Sequence, residues 1–434
     1  MGALLARVLG AIARFIVHGL FRRVEVVGTD QIPRGRPLLV VANHFNGFVD
    51  AVVLAGSLPR APRFVAKATL GAFPPLRVLL KLFGIVLVQR TQDRATGVDN
   101  RSAFTACHRA LRRGGAIAIF PEGTTHDLSR LVDVKTGAAR IALGARAAGA
   151  RGLVVVPVGL TFPDKVALRS SVLVRVGEPI DLDGDVGPGG EDDREAVRAL
   201  TDEIEARLRI VSPEFPDVDE WWAFDAASEI VLRTEDDRDP PLLERALLAN
   251  RLGRADVDAK GAVRRRLADY VLALSLARLR DREVVATGSP KGLIRSAIRT
   301  AIVVGVLAPL VLAGSVVTAI PALVVAGTGL VVTKPVSKGT VRVATALLAF
   351  PLAWGITAAQ LADGWAVLGL IVLWAAAGLA AVVVAERSIK LVFSVIAWRV
   401  ARERVSYLER LKAQREALVD AVRDVVGVLP TRTR

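Results

Sequence analysis

Three short segments hold residues able to move a proton and grip an anion. Asn43-His44-Phe45-Asn46-Gly47-Phe48-Val49-Asp50 follows an apolar run, Pro37 to Ala42, and sets a carboxylate six positions after an imidazole. Phe120-Pro121-Glu122-Gly123-Thr124-Thr125-His126 ends a second apolar run in a Pro-Glu-Gly turn. Between them, Gly84-Ile85-Val86-Leu87-Val88-Gln89-Arg90 ends a third run on a guanidinium. Histidine suits proton abstraction from a hydroxyl because its ordinary pKa lies near operating pH. His44 is thus the candidate base, and Asp50 would hold its tautomer and steady the imidazolium. Arg90 would bind a phosphate, bidentately where geometry allows. Glu122 would orient acceptor hydroxyls or the local backbone, and Gly123 would let the chain approach a ligand closely. Gathered at strand ends, these groups point to acyl transfer onto a phosphorylated acceptor.

The same residues resemble the glycerophospholipid acyltransferases, the family of the glycerol-3-phosphate and lysophosphatidate acyltransferases. That family carries four ordered blocks: His-x4-Asp, a Gly-x5-Arg strand, Phe-Pro-Glu-Gly-Thr-Arg and an apolar strand with a central proline. Val154-Val155-Val156-Pro157-Val158-Gly159 supplies the fourth here, and the resemblance covers roughly residues 20 to 210. Any single block is weak; four in order make a strong signal. This chain departs twice: five residues, not four, separate His44 from Asp50, and Thr125 stands where the third block has arginine. It is similar in this to the glycerol-3-phosphate or dihydroxyacetone-phosphate type, with His-x-Asn-x-x-x-Asp and a later Lys-Thr-Gly. The matching residues are His44, Asn46, Asp50, Lys135, Thr136 and Gly137. Asn46 is therefore a candidate substrate contact, and Lys135 a candidate to replace the missing arginine on phosphate. Asn46-Gly47 could supply a tighter turn that restores the His-Asp geometry. His126 is read as a solvated loop residue in preference to a second phosphate donor.

The resemblance implies direct transfer without a covalent enzyme intermediate, from acyl-CoA or acyl carrier protein to glycerol 3-phosphate or lysophosphatidate. No cofactor or metal is expected, since His44, His108 and His126 lack ligand spacing. Neither a Gly-x-Ser-x-Gly elbow nor a P-loop is present. Cys107 is the single cysteine, so an internal disulfide is excluded. His108 beside it is no base for it, because adjacent residues on a helix do not face each other.

Positioning these groups calls for a sheet. From Val24 to about Val211 short apolar strands alternate with amphipathic helices, the rhythm of an α/β domain whose loops gather at strand C-terminal ends. Strands are expected at 24–27, 37–42, 63–66, 85–89, 116–120, 153–160 and 172–176, and helices at 49–56, 101–112, 137–148 and 194–210.

The rest of the chain points to a bilayer. The mean hydropathy is +0.42 and 52% of the 434 residues are apolar, more than a soluble domain usually carries. The excess sits in three runs, Ala301 to Thr333, Val343 to Ala362 and Trp365 to Ala385. The last two are each about 20 residues, enough to cross a hydrocarbon core of about 30 Å. Basic clusters flank the runs, which places the second and third as a two-span hairpin (343–385) turning at Asp363-Gly364. The first run has basic residues at both ends, so a re-entrant or shallow hairpin is expected over 301–333, with one tilted span as the alternative. The net charge of +15 fits attraction to anionic headgroups, and equally an arginine-rich base composition. Scarce aromatics and no recognised motif argue against nucleic acid.

The expected architecture is an α/β domain of the glycerolipid acyltransferase type with an N-terminal interfacial helix and a C-terminal helical membrane region. Residues 1–21 form the amphipathic helix, 22–211 the α/β domain, 212–294 a charged helical connector, 295–390 the membrane region and 391–434 a basic C-terminal helix. The expected location is the cell membrane, catalytic domain on the cytoplasmic face, with membrane lipids and the acyl donor as partners.

Overall fold

The computed structural model describes residues 3–67, 85–88, 101–165, 167, 169–183, 189–234, 239–285, 290–332 and 335–427. They divide into two compact units, Met1–Val218 with Pro335–Thr340, and Asp219–Lys334 with Val341–Arg434.

The first unit is built on a mixed sheet of eight strands among the described residues: β1 (Phe21–Val27), β2 (Leu38–Ala42), β3 (Arg63–Lys67), β4 (Val86–Val88), β5 (Ala116–Ile119), β6 (Val154–Thr161), β7 (Ser170–Val176) and β8 (Ile180–Asp181). Their order is β1-β7-β6-β2-β5-β3-β4, with β8 on β6. The β6-β2-β5-β3-β4 stretch is parallel throughout, whereas β7 and β8 run antiparallel to β6. β2 and β6 are buried along their whole length, as continuous Val/Leu runs require of strands covered on both faces.

Pro157 in central β6 is tolerated for a local reason. Its carbonyl accepts from Gly177 N at 2.8 Å, so its missing N–H faces the same side. There β6 changes partner, from β8 at Val154–Val155 to β7 at Val158–Thr161. No ladder bond is lost.

Helices α2 (Phe48–Ser57), α3 (Arg101–Arg112), α4 (Gly137–Ala147) and α5 (Arg194–Val211) cover the sheet. Asp193 caps α5 by accepting from Glu195 N and Ala196 N at 3.1 and 3.0 Å. Val197, Leu200, Ile204, Leu208 and Val211 then bury one stripe of that helix, each side chain contributing about 1.5–3 kcal/mol. α1 (Ala3–Leu20) packs on α2 through Ala13 and Val17, while Ile12 and Phe15 face outward. The expected interfacial helix is therefore also anchored to the domain, with an apolar outer side.

In the second unit, α10 (Pro290–Val331) runs unbroken through Pro309 and Pro321. (The intervening helices of this unit are α6 (Val218–Leu232), α7 (Leu242–Gly253), α8 (Val257–Ala277) and α9 (Asp281–Val285).) This corrects the hairpin expected over 301–333. A proline removes one backbone bond, whereas a turn inside an apolar layer would strand several polar groups. α11 (Pro335–Leu361) and α12 (Trp365–Glu403) meet at the anticipated Asp363-Gly364 turn, where Gly364 has φ +57°. α12 continues past residue 390, so no boundary falls there; the break comes at Arg404, before α13 (Val405–Val426). α10 packs along α12, with Gly314 against Ala377, the close approach that small residues give apolar helices.

Leu293–Val331, Lys338–Leu361 and Trp365–Val400 are long and apolar enough to cross a membrane. The stretch 212–294 is more than a connector. α8 packs on α13, and Tyr407 Oη donates to Ala273 O at 2.7 Å.

Candidate active site

Parallel β2 and β5 pair in register, Val41 opposite Ile119, so the loops that follow them leave the sheet at the same edge. His44 follows β2 and Glu122 follows β5. Asn43 fixes the first loop: its Nδ2 donates to Leu160 O at 2.9 Å and its Oδ1 accepts from Leu160 N at 2.6 Å. The chain then turns through Gly47 at φ +57°, ψ −124°, a backbone shape that side chains resist. α2 starts immediately, and Asp50 lies in its first turn.

That turn absorbs the extra residue. His44 Nδ1 and Asp50 Oδ2 are 2.9 Å apart, and Asn46 N donates to the same oxygen at 2.8 Å. Asp50 is fully buried. Burial pushes its carboxyl above the usual range, opposed by the His44 hydrogen bond, by attraction to the imidazole and by the Asn46 amide. An ionised carboxylate only accepts, which assigns the proton to Nδ1 and leaves Nε2 to act as base. The imidazole also stacks on Phe120, 4.1 Å between centroids at 12°, so its plane is fixed from two sides.

Glu122 is buried and organises the loop. Its Oε1 accepts from His44 N at 2.6 Å; its Oε2 accepts from Val132 N at 3.0 Å and lies 2.6 Å from His126 Nε2. Of the two roles weighed for it, the structure displays the backbone one. His126 is correspondingly not a solvated loop residue: it is clamped between Glu122 and the edge of the Phe45 ring. Glu122→Ala would strand two half-buried backbone donors, at up to about 1–3 kcal/mol each. Its thermal midpoint should fall by several degrees, Glu122→Gln falling less; an unchanged midpoint in a melting scan would refute this role.

Gly123 has φ +69°, and a Cβ there would meet Lys135 Nζ at 3.0 Å. Lys135 N donates to Pro121 O at 2.9 Å, which seats this exposed lysine beside the Pro-Glu-Gly turn. Asn46 is buried, and its carboxamide reaches Lys165 O at 3.5 Å; the residue holds the turn together. Arg90 lies outside the described residues. Asn43 and Phe120 have no role that type or spacing assigns. Asn43 stands next to His44, the one hint available.

Cys107 is wholly buried in the core, and burial pushes its thiol up to about 12. At pH 8 it is protonated, and the thiolate is the reactive species. Thiol titration of the native protein should find no reactive group and one after denaturation; rapid native labelling would contradict this packing.

The fold and site define an α/β domain with a His-Asp pair and a nearby lysine at the carboxyl edge of a largely parallel sheet. The profile of the Acyltransferase family matches residues 23–161. Glycerol-3-phosphate O-acyltransferase 2 of Saccharomyces cerevisiae is 36% identical over 138 residues, 31% of this chain and 19% of that protein. Lyso-ornithine lipid O-acyltransferase of Rhizobium meliloti is 34% identical over 167 residues, 38% and 53% of the two chains. A solved 1-acyl-sn-glycerophosphate acyltransferase from Thermotoga maritima is similar over 47% of this chain and 78% of its own, at 23% identity and a TM-score of 0.36. The chain thus matches about a fifth and about half of the two curated relatives' lengths. Residues 23–161 are thus similar to the Acyltransferase family.

Proposed function

We propose that this chain is a membrane-bound acyltransferase that moves a fatty acyl group from acyl-CoA or acyl carrier protein to the sn-1 hydroxyl of glycerol 3-phosphate. The observation that carries the reading is the His44 Nδ1–Asp50 Oδ2 pair, 2.9 Å long, beside Gly123 and Lys135. His44 Nε2 takes the proton as the acceptor oxygen attacks the thioester carbonyl. The tetrahedral adduct collapses, the C–S bond breaks, and the imidazolium returns a proton to the departing thiolate. Asp50 stabilises the imidazolium, and Lys135, with Arg90, holds the acceptor phosphate. Three helices among the described residues, long and apolar enough to span a bilayer, suit a product that partitions into lipid, with the domain on the cytoplasmic face.

The same chemistry on a lysolipid acceptor is the second reading, favoured by the lyso-ornithine lipid acyltransferase match. Membranes containing the protein should transfer labelled acyl chains from acyl-CoA or acyl carrier protein to glycerol 3-phosphate in preference to lysophosphatidate or lyso-ornithine lipid. Preference for a lysolipid would move the assignment to the second reading. No product with any pairing would mark a silent lipid-phosphate binder.

A further inference from the structure

α2 carries Asp50 in its first turn, yet its N-cap is Gly47, which has no side chain to accept from the helix's leading amides. Val49 N and Asp50 N are served locally, by Asn46 O and Gly47 O at 3.2 Å each. Phe48 N is not. Its acceptor is Thr340 Oγ1 at 3.3 Å, supplied from 292 residues further along the chain. The same hydroxyl faces Asn46 O at 3.5 Å, so one side chain spans both ends of the catalytic turn.

The fit is reciprocal. A Cβ on Gly47 would lie 2.5 Å from Thr340 Oγ1, and a Cβ on Gly339 would lie 2.5 Å from Asn46 Oδ1. Any larger residue at either glycine would push the two segments apart. Asn46 Oδ1 is buried and has no hydrogen-bond partner among the described residues. Pro335–Thr340 belong to the same compact unit as the turn, and they open the helix α11.

We infer that Thr340 is a positioning residue for the His-Asp pair: it supplies the cap that Gly47 lacks and fixes the turn through which Asn46 N and His44 Nδ1 converge on Asp50. The substrate meets His44, and Thr340 acts only through the turn. Its kinetic consequence rests on the acyl-transfer reading; the cap itself does not. The N-terminal segment Pro335–Thr340 of α11 thereby helps to position the catalytic pair.

The test uses the full-length protein in membranes, as wild type, Thr340→Val, Thr340→Ser and Gly339→Ala. Two quantities are read: kcat and KM for each substrate across pH, and amide hydrogen exchange over residues 44–52. Thr340→Val keeps the shape and removes the hydroxyl. It should lower kcat about 10-fold with KM for the acyl donor within about twofold, since a displaced base costs rate rather than donor affinity. Exchange over 44–52 should quicken, and Thr340→Ser should restore both. Gly339→Ala should imitate Thr340→Val by levering the turn away. If Thr340→Val does not accumulate, retained rate and protection in Thr340→Ser beside losses in Gly339→Ala support the inference, and loss in Thr340→Ser refutes it.

Wild-type kinetics and exchange in Thr340→Val would overturn the inference. So would a lowered melting point with kcat and exchange over 44–52 unchanged. If the wild type transfers no acyl group, the functional reading fails, and the exchange measurements still decide whether Thr340 caps α2.

Discussion

With His44 replaced by alanine, acyl transfer should fall on the order of 10²-fold or more while the protein stays folded. The imidazole is held by its stack on Phe120 and its hydrogen bond to Asp50 and acts on the acceptor, so the loss should appear in kcat, with KM for the acyl donor nearly unchanged. Asp50→Asn should be comparably damaging for a different reason. The amide can present N–H where the carboxylate only accepted, and it cannot balance an imidazolium. Because Asn46 N also donates to Asp50, that variant should disturb the turn as well, lowering the melting point more than His44→Ala does. The double variant should be no slower than the worse single one, since the two groups act as a unit. Full turnover in His44→Ala, measured with labelled donor on washed membranes, would remove this mechanism.

Residue types and spacing located the site because they carry chemical roles that parallel strands bring to one edge. His44 and Glu122 each follow a strand of the same sheet, and the adjacency of β2 and β5, which sequence order does not dictate, brings them together. The five-residue gap before Asp50 could not be judged without knowing that Gly47 adopts a left-handed turn. Glu122 illustrates a different limit. A buried carboxylate reads as chemistry in the chain, yet here its three partners are two backbone amides and His126. Thr340 had no local signal at all. A threonine beside an apolar run looks like any other, and a contact across 292 residues leaves no trace in periodicity.

The apolar runs were equally legible as candidate spans, and the hairpin at 301–333 was not. Basic residues at both ends of that run set a rule about sidedness against a rule about backbone satisfaction. Helix continuity won, because each internal proline leaves every other backbone pair intact. In 212–294 a high density of Arg, Asp and Glu reads as a charged helical connector, and the pattern does not say which charges are internal. Much of that charge is internal. Arg245 pairs with Asp225 and Glu229, and Asp225 is buried.

Asp281 joins that network through Arg233, which pairs with both Glu229 and Asp281, and its removal should produce the largest stability loss outside the catalytic unit. Its Oδ1 accepts from Tyr270 Oη and from Arg415 Nε, both at 2.9 Å. Arg233 Nε lies 3.0 Å from Oδ2, too poorly aligned for a hydrogen bond, so charge attraction carries that contact. Burial raises the carboxyl's pKa, and Arg415, the Tyr270 hydroxyl and Arg233 oppose the rise. Arg415 also donates to Ile230 O and Arg233 O at 2.6 and 3.0 Å, tying α13 to the end of α6. Asp281→Ala leaves Arg233, 5% exposed, with Glu229 and Asp239 alone, and breaking a buried pair from one side costs about 3–5 kcal/mol. A fall in melting temperature on the order of 10 °C should follow, with kcat of the surviving folded protein unchanged. Arg415→Ala should cost less, because Asp281 then keeps the Tyr270 hydroxyl and Arg233 as partners. The double variant should recover part of the summed loss, because neither charge is then left without its partner. A melting curve for Asp281→Ala within a degree or two of wild type would mean that solvent reaches this cluster and that packing between α8 and α13 holds these helices without it.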